Sequence, residues 1–251
     1  VTAGLGVYES LVVIDGAAFA PTRHLARLCR SAAAVGLGAP DLDELREAIE
    51  TVAREGGWAY GRLRITMTAG SAAGAGDGVT FVTGSEAAVV QQVTAVRVPW
   101  VRNERAPLVG VKATSTADNL TAARYAHEQG ADEAVLANTR GDLCECTTSN
   151  VLVEIGGQVL TPPLSSGCLG GVTRELVLAW ADEAGLPVHE RALGYDVLDE
   201  VSGGRAHLAV SSTTRGVAPV VALDGAPVAP GPITLELRRL VQAQRLENLD
   251  P

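Results

Sequence analysis

Lysine is almost absent from this sequence. Among 251 residues there are 20 basic side chains, 19 of them arginine and one, Lys112, a lysine. Arginine replaces lysine on a solvated surface without penalty, but its guanidinium stays protonated and cannot do the chemistry of a free amine. Two readings follow: an arginine-biased composition that leaves a stray surface lysine, or a position that needs a primary amine. Cysteine is also sparse. Cys29 and Cys168 stand alone, and Cys144 and Cys146 are one residue apart, which gives neither a secreted disulfide framework nor zinc spacing. A reducing, cytoplasmic setting is expected. His24, His127, His189 and His207 are scattered, so no metal is expected. No apolar run approaches the about 20 residues that cross a bilayer, and the first residues lack the basic-then-apolar pattern of a signal peptide. Positive charge is in deficit, with a formal net charge of −9. That excludes general binding to a nucleic-acid backbone, whose affinity comes from Lys and Arg neutralising phosphates. Local basic pockets for small anions stay open.

What is present fits a folded protein. The hydrophobic fraction is 47 % and the charged fraction 20 %, enough for a sizeable core in one large or two small domains. Residues 6–14 (GVYESLVVI) read as a strand closed by an Asp15-Gly16 turn. Pro21 opens a helical pattern with Leu25, Leu28, Ala32 and Val35 on one face, and Asp41 is placed to cap a second helix. In GRLRITMTAG, Leu63, Ile65 and Met67 alternate with Arg62, Arg64, Thr66 and Thr68, a strand with two faces. Gly70–Gly78 is a loop by composition. Residues 99–108 (PWVRNERAPL) break the pattern and read as a linker. Beyond it a helix is expected over 117–128, a strand over 133–137, a hairpin about Gly156-Gly157, and a glycine-rich loop at 167–171 leading into a helix. Helices and strands mix without a regular βαβ rhythm, which points to an α+β fold.

Three further clusters could carry chemistry. In CLGGVTR the amides of Val172 and Thr173 begin a helix, where unpaired N–H groups and the dipole favour an anion; the plain alternative is a glycine turn capped by Thr173. SSTTRG at 211–216 offers hydroxyls to a second edge of an anion, or is a polar turn. Glu145, between two cysteines in a segment poor in charge, is either an exposed strand-end residue or a buried carboxylate in need of a partner such as a protonated ring nitrogen.

Taken in order along the chain, these segments resemble the fold-type IV pyridoxal-phosphate enzymes, a family that includes branched-chain and D-amino-acid transaminases and 4-amino-4-deoxychorismate lyase. GLGVYESLVVIDG is similar to the family's early strand, and HLARLCRSA to the helix whose arginine binds the cofactor phosphate, here Arg27. GVKATSTADNLTAARYA is similar to the segment of the Schiff-base lysine, here Lys112. In GADEAVLANTRGDLCECTTSNVLVEIGGQVLTPPL the glutamate that pairs with the pyridine nitrogen falls on Glu145. SGCLGGVTRELVL supplies the phosphate loop with Val172 and Thr173, and SSTTRGVAPV puts Thr213 near the phosphate. The resemblance implies pyridoxal 5′-phosphate as cofactor, Lys112 as catalytic residue, and a homodimer. It also implies a two-domain fold with the cofactor at the domain interface: a small domain over 1–98, a linker over 99–108, and a larger cofactor domain over 109–251. The chain opens almost at the family's GxGVxE region, so the usual first strands are expected to be missing. Thr116 stands where many relatives carry a tyrosine four residues after the lysine, and Cys146 where a glycine is frequent.

Within the family, 4-amino-4-deoxychorismate lyase is the reaction expected. Arg62 and Arg64 share a strand face and are expected, with Thr116, to bind substrate carboxylates, and Arg102 and Arg105 to sit in the active-site wall. The stretch RNERAPLVGVKATS is most similar to bacterial aminodeoxychorismate lyases, which release pyruvate and 4-aminobenzoate. A transaminase of D- or branched-chain amino acids is the alternative, and a catalytically silent dimeric binding protein a third.

Overall fold

The computed structural model describes residues 4–70 and 78–251; most of the loop expected over Gly70–Gly78 lies outside the described residues. The chain groups into two compact units. One gathers residues 1–89, 111–116 and 245–251, the other residues 90–110 and 117–244.

In the first unit, β1 (Gly6–Ile14) turns through Asp15 and Gly16 into β2 (Ala17–Ala18). Both turn residues have positive φ, 47° and 80°, the mirror-image turn that Asp-Gly favours in hairpins. Helix α1 (Pro21–Ala34) starts on proline, whose missing N–H costs nothing in the first turn. Helix α2 (Leu42–Gly56) is capped as expected, with the Asp41 carboxylate accepting from the Asp43 and Glu44 N–H groups at 3.0 Å. Strand β3 (Tyr60–Thr68) buries Leu63 and Ile65 and exposes Arg62 and Arg64, and β4 (Thr80–Glu86) pairs with it. The sheet runs β2-β1-β3-β4, all antiparallel. Its core is Val7, Leu11, Leu25, Leu28, Leu45, Ile49, Leu63 and Ile65.

The second unit holds β5 (Val93–Arg102), α3 (Ala117–Glu128), β6 (Glu133–Asn138), β7 (Leu143–Cys146), β8 (Asn150–Ile155), β9 (Gln158–Thr161), α4 (Val172–Glu183), β10 (Val188–Glu190), α5 (Val197–Ser202), β11 (Ala206–Ser212), β12 (Gly216–Leu223), β13 (Ala226–Pro227) and most of α6 (Pro232–Glu247). Its sheet runs β10-β9-β8-β11-β12-β5-β6-β7, with β13 on β12. The pairings β5–β6, β5–β12 and β9–β10 are parallel and the others antiparallel. Strand β6 is buried at every residue, as a strand covered on both faces must be. Among the described residues no helix is long and apolar enough to cross a membrane.

The expected boundaries shift. Residues 99–102 are not linker but the end of β5; Pro99 lies where the β5–β6 register slips between Arg97 and Val101, a position at which a missing ladder donor is tolerated. Nor does the first unit end at residue 98. Residues 111–116 belong to it because Tyr8 N–H donates to the Lys112 carbonyl and Thr114 N–H to that of Gly6. The last residues join it through Ala20 N–H on the Leu249 carbonyl and Thr22 on Asp250.

Candidate active site

The first unit holds Lys112 on an extended segment strapped along β1. Its carbonyl accepts from Tyr8 N–H (2.9 Å), its own N–H donates to Ser31 Oγ (3.2 Å), and Ala113 bridges to Val7. The amine lies 4.6 Å from the centroid of the Tyr8 ring and makes no ion pair among the described residues. Beneath this strap, one face of α1 presents His24, Arg27 and Ser31 at helical spacing. Glu9, fully buried on β1, takes Arg27 Nε on one oxygen and Arg27 Nη2 and His24 Nδ1 on the other, each at 2.7 Å. Burial alone would raise the Glu9 carboxyl, but the Arg27 guanidinium, with His24, outweighs it and holds the group down at about 2. Burial pushes His24 down despite its bond to Glu9; the neutral ring donates its Nδ1 proton to the carboxylate. Arg27 is therefore fixed as a buried cation.

Arg64 and Arg62 do share the exposed face of β3, but they differ. The Arg64 guanidinium stacks 3.9 Å from the Tyr8 centroid, and its Nε donates to Thr66 Oγ1 (3.3 Å). Arg62, opposite Val12 in register, lies two residues farther along. Thr116 N–H donates to the Thr114 carbonyl in the turn before α3.

The second unit gathers Glu145, Val172, Thr173 and Thr213. Glu145 is 6 % exposed on β7, not an open strand-end residue. Its Oε2 accepts the Leu169 N–H (2.8 Å), and its Oε1 is 2.9 Å from Arg102 Nε. The Leu169 carbonyl accepts from Asn150 Nδ2 (2.8 Å), and Asn150 pairs in register with Ser211 of β11. That chain of contacts puts the loop before α4 and the 211–216 turn at one end of the sheet. Val172 and Thr173, both buried, open α4 behind Gly171, which gives the helix no side-chain cap. Thr213 sits in the β11–β12 turn. Just before it, Ser211 Oγ is buried with no hydrogen-bond partner.

Sequence reasoning missed two residues here and misplaced a third. Tyr8 carries no signal beyond being an aromatic on a strand. Glu9 reads as a strand polar residue until α1 covers it. Arg102, expected in a linker wall, ends β5 and pairs with Glu145 two strands away. Arg105 is exposed, 3.8 Å from Glu104.

The chain belongs to the class IV aminotransferases: the pattern of amino-transferase class IV matches residues 6–223. These are pyridoxal-phosphate-dependent enzymes. The chain is 31 % identical over 270 residues to a D-alanine aminotransferase of Bacillus licheniformis, covering 95 % of this chain and 87 % of that one. It is 31 % identical to a fold IV-transaminase of Curtobacterium pusillum, with a TM-score of 0.85 over 99 % of this chain and 87 % of the other. A protein of Legionella pneumophila described as a 4-amino-4-deoxychorismate lyase shares the fold at a TM-score of 0.87 and 20 % identity, over 96 % and 92 % of the two chains. The two-domain fold-type IV architecture expected from the sequence is the fold of these relatives.

Proposed function

We propose that this protein holds pyridoxal 5′-phosphate on Lys112 and transfers the amino group of a carboxylate-bearing substrate, a small D-amino acid in the first instance. The observation that carries this reading is the sole lysine: its backbone is pinned to β1 and α1, and its amine has no carboxylate partner among the described residues. The donor set suits the group. An amine without an ion pair fits an aldehyde. Within the second unit an uncapped helix start and a buried serine hydroxyl without a partner fit a phosphate, and within the first Arg27 is a buried cation of a kind that does. A buried carboxylate fits a protonated ring nitrogen.

When bound, pyridoxal phosphate supplies an electron sink for charge developing at the substrate α-carbon. Arg27, Val172, Thr173 and Thr213 hold the phosphate. Glu145 keeps the proton on the ring nitrogen. The Lys112 amine is the base that takes and returns the proton at the α-carbon. Arg64, steered by Tyr8, receives the substrate carboxylate, together with Arg62 and Thr116. The likeness to D-alanine aminotransferases favours a D-amino acid. A homodimer is the proposed working form.

A second reading, aminodeoxychorismate lyase, is favoured by one feature: Arg62 and Arg64 offer two guanidinium groups on one exposed face, which suits a substrate with two carboxylates.

Borohydride reduction of the loaded protein followed by peptide mass spectrometry should find the adduct on Lys112, and an adduct elsewhere overturns the reading. D-Alanine with a 2-oxo acid acceptor should be turned over, and Lys112→Ala should reduce that rate by about a thousandfold or more. Release of pyruvate and 4-aminobenzoate from aminodeoxychorismate, with no turnover of amino acids, selects the lyase instead.

A further inference from the structure

We propose that Arg102 and Asn119 form a positioning pair that orients the Glu145 carboxylate toward the cofactor ring nitrogen; this rests on the role given to Glu145 above. Arg102 ends β5 and Glu145 lies on β7, on either side of β6, where Asn138 is opposite Arg102 and Leu136 opposite Glu145. The guanidinium spans that strand. Its Nη2 donates to Asn119 Oδ1 (2.7 Å), and Asn119 Nδ2 donates to the Thr147 carbonyl just beyond β7 (2.7 Å). Arg102 Nε stands 2.9 Å from Glu145 Oε1, yet off the line of a hydrogen bond, so that a buried N–H beside the carboxylate has no acceptor. The other oxygen is held by the Leu169 N–H.

One Glu145 oxygen is thus held by a backbone N–H and the other is ion-paired with a guanidinium, the two groups coming from different elements. The side chain loses its freedom before any ligand arrives, and its negative charge is kept in a buried place by a cation that cannot deprotonate. The planar fork matters because one guanidinium must meet Asn119 and Glu145 together. An ammonium at 102 would bring the charge without that geometry.

The test uses the full protein, stripped of cofactor and titrated with pyridoxal 5′-phosphate. Two quantities are read: the dissociation constant, and the circular dichroism of the cofactor's visible band at saturation, which reports ring orientation and is not moved by a loss of fold stability alone. Arg102→Lys and Asn119→Ala should each weaken binding about tenfold and diminish the visible dichroism. Arg97→Gln, on the same strand but paired with Asp199 and Asp224, should change neither. Asn119→Ala keeps the inference testable if Arg102→Lys fails to fold. Wild-type affinity and dichroism in Arg102→Lys or in Asn119→Ala overturn the inference while leaving the Glu145 assignment standing. If Glu145→Gln itself binds with unchanged dichroism, the assignment of Glu145 falls, and this inference with it.

Discussion

A carboxylate with no exposure at all survives in β1 only because three charge-assisted contacts converge on it. Removing one partner of such a buried pair costs about 3–5 kcal/mol, since the charge left behind is uncompensated. Arg27→Leu should therefore destabilise the protein by that amount in denaturant unfolding, and adding Glu9→Leu should recover a large part of the loss. The same site fixes an acid limit. Glu9 titrates lower in the folded chain than in the unfolded one, so its contribution is full above about pH 4.5 and is lost as pH falls toward about 2. His24, held below its ordinary value of 6.5, acts in the same direction, its share being lost as pH falls below that value. Melting temperatures measured from pH 7 to pH 3 should fall, and Glu9→Gln with His24→Gln should flatten the slope. The cysteines around Glu145 are a different case: burial raises the thiols of Cys144, Cys146 and Cys168, so they stay protonated and inert.

Two glycines in one loop show how an element sets a site. A Cβ at Gly170 would meet only Leu164 side-chain carbons at 3.8 and 3.9 Å, an ordinary contact. A Cβ at Gly171 would stand 2.1 Å from Asn150 Oδ1. Asn150 cannot swing aside cheaply, because its Nδ2 holds the Leu169 carbonyl and Leu169 N–H in turn holds Glu145. Gly171→Ala should weaken cofactor binding about tenfold, whereas Gly170→Ala should stay within twofold of the wild type, both read by spectroscopic titration. At β1 the same logic reaches Lys112: a Cβ on Gly6 would lie 2.7 Å from the Met67 carbonyl and 3.0 Å from Thr114 Oγ1, pushing the strap that carries the lysine off its strand. Not every element bears on the site. Loss of the Asp41 cap in Asp41→Ala should cost about 1 kcal/mol of stability and leave turnover unchanged.

At the scale of the whole molecule the proposed working form is a homodimer, and sedimentation equilibrium should return twice the chain mass. The elements were largely readable in advance because each is set by local chemistry. Asp15-Gly16 asks for a mirror-image turn, Asp41 for a helix start, and the alternation of Leu63 and Ile65 with Arg62 and Arg64 for a half-buried strand. The unit boundaries were not readable, because a segment's allegiance depends on which backbone groups it pairs with. Residues 111–116 and 245–251 join the first unit through hydrogen bonds to partners 81 or more residues away.

By itself the sequence determined which residue could supply an amine, since a single lysine leaves no choice, and it determined the order of the segments that surround the cofactor in the family. Only the tertiary structure decided which charges meet. Glu9 with Arg27, Arg102 with Glu145 and Arg64 over Tyr8 are juxtapositions across strands and helices. Their energies depend on burial and on distances of a few ångströms, and no spacing along the chain encodes those.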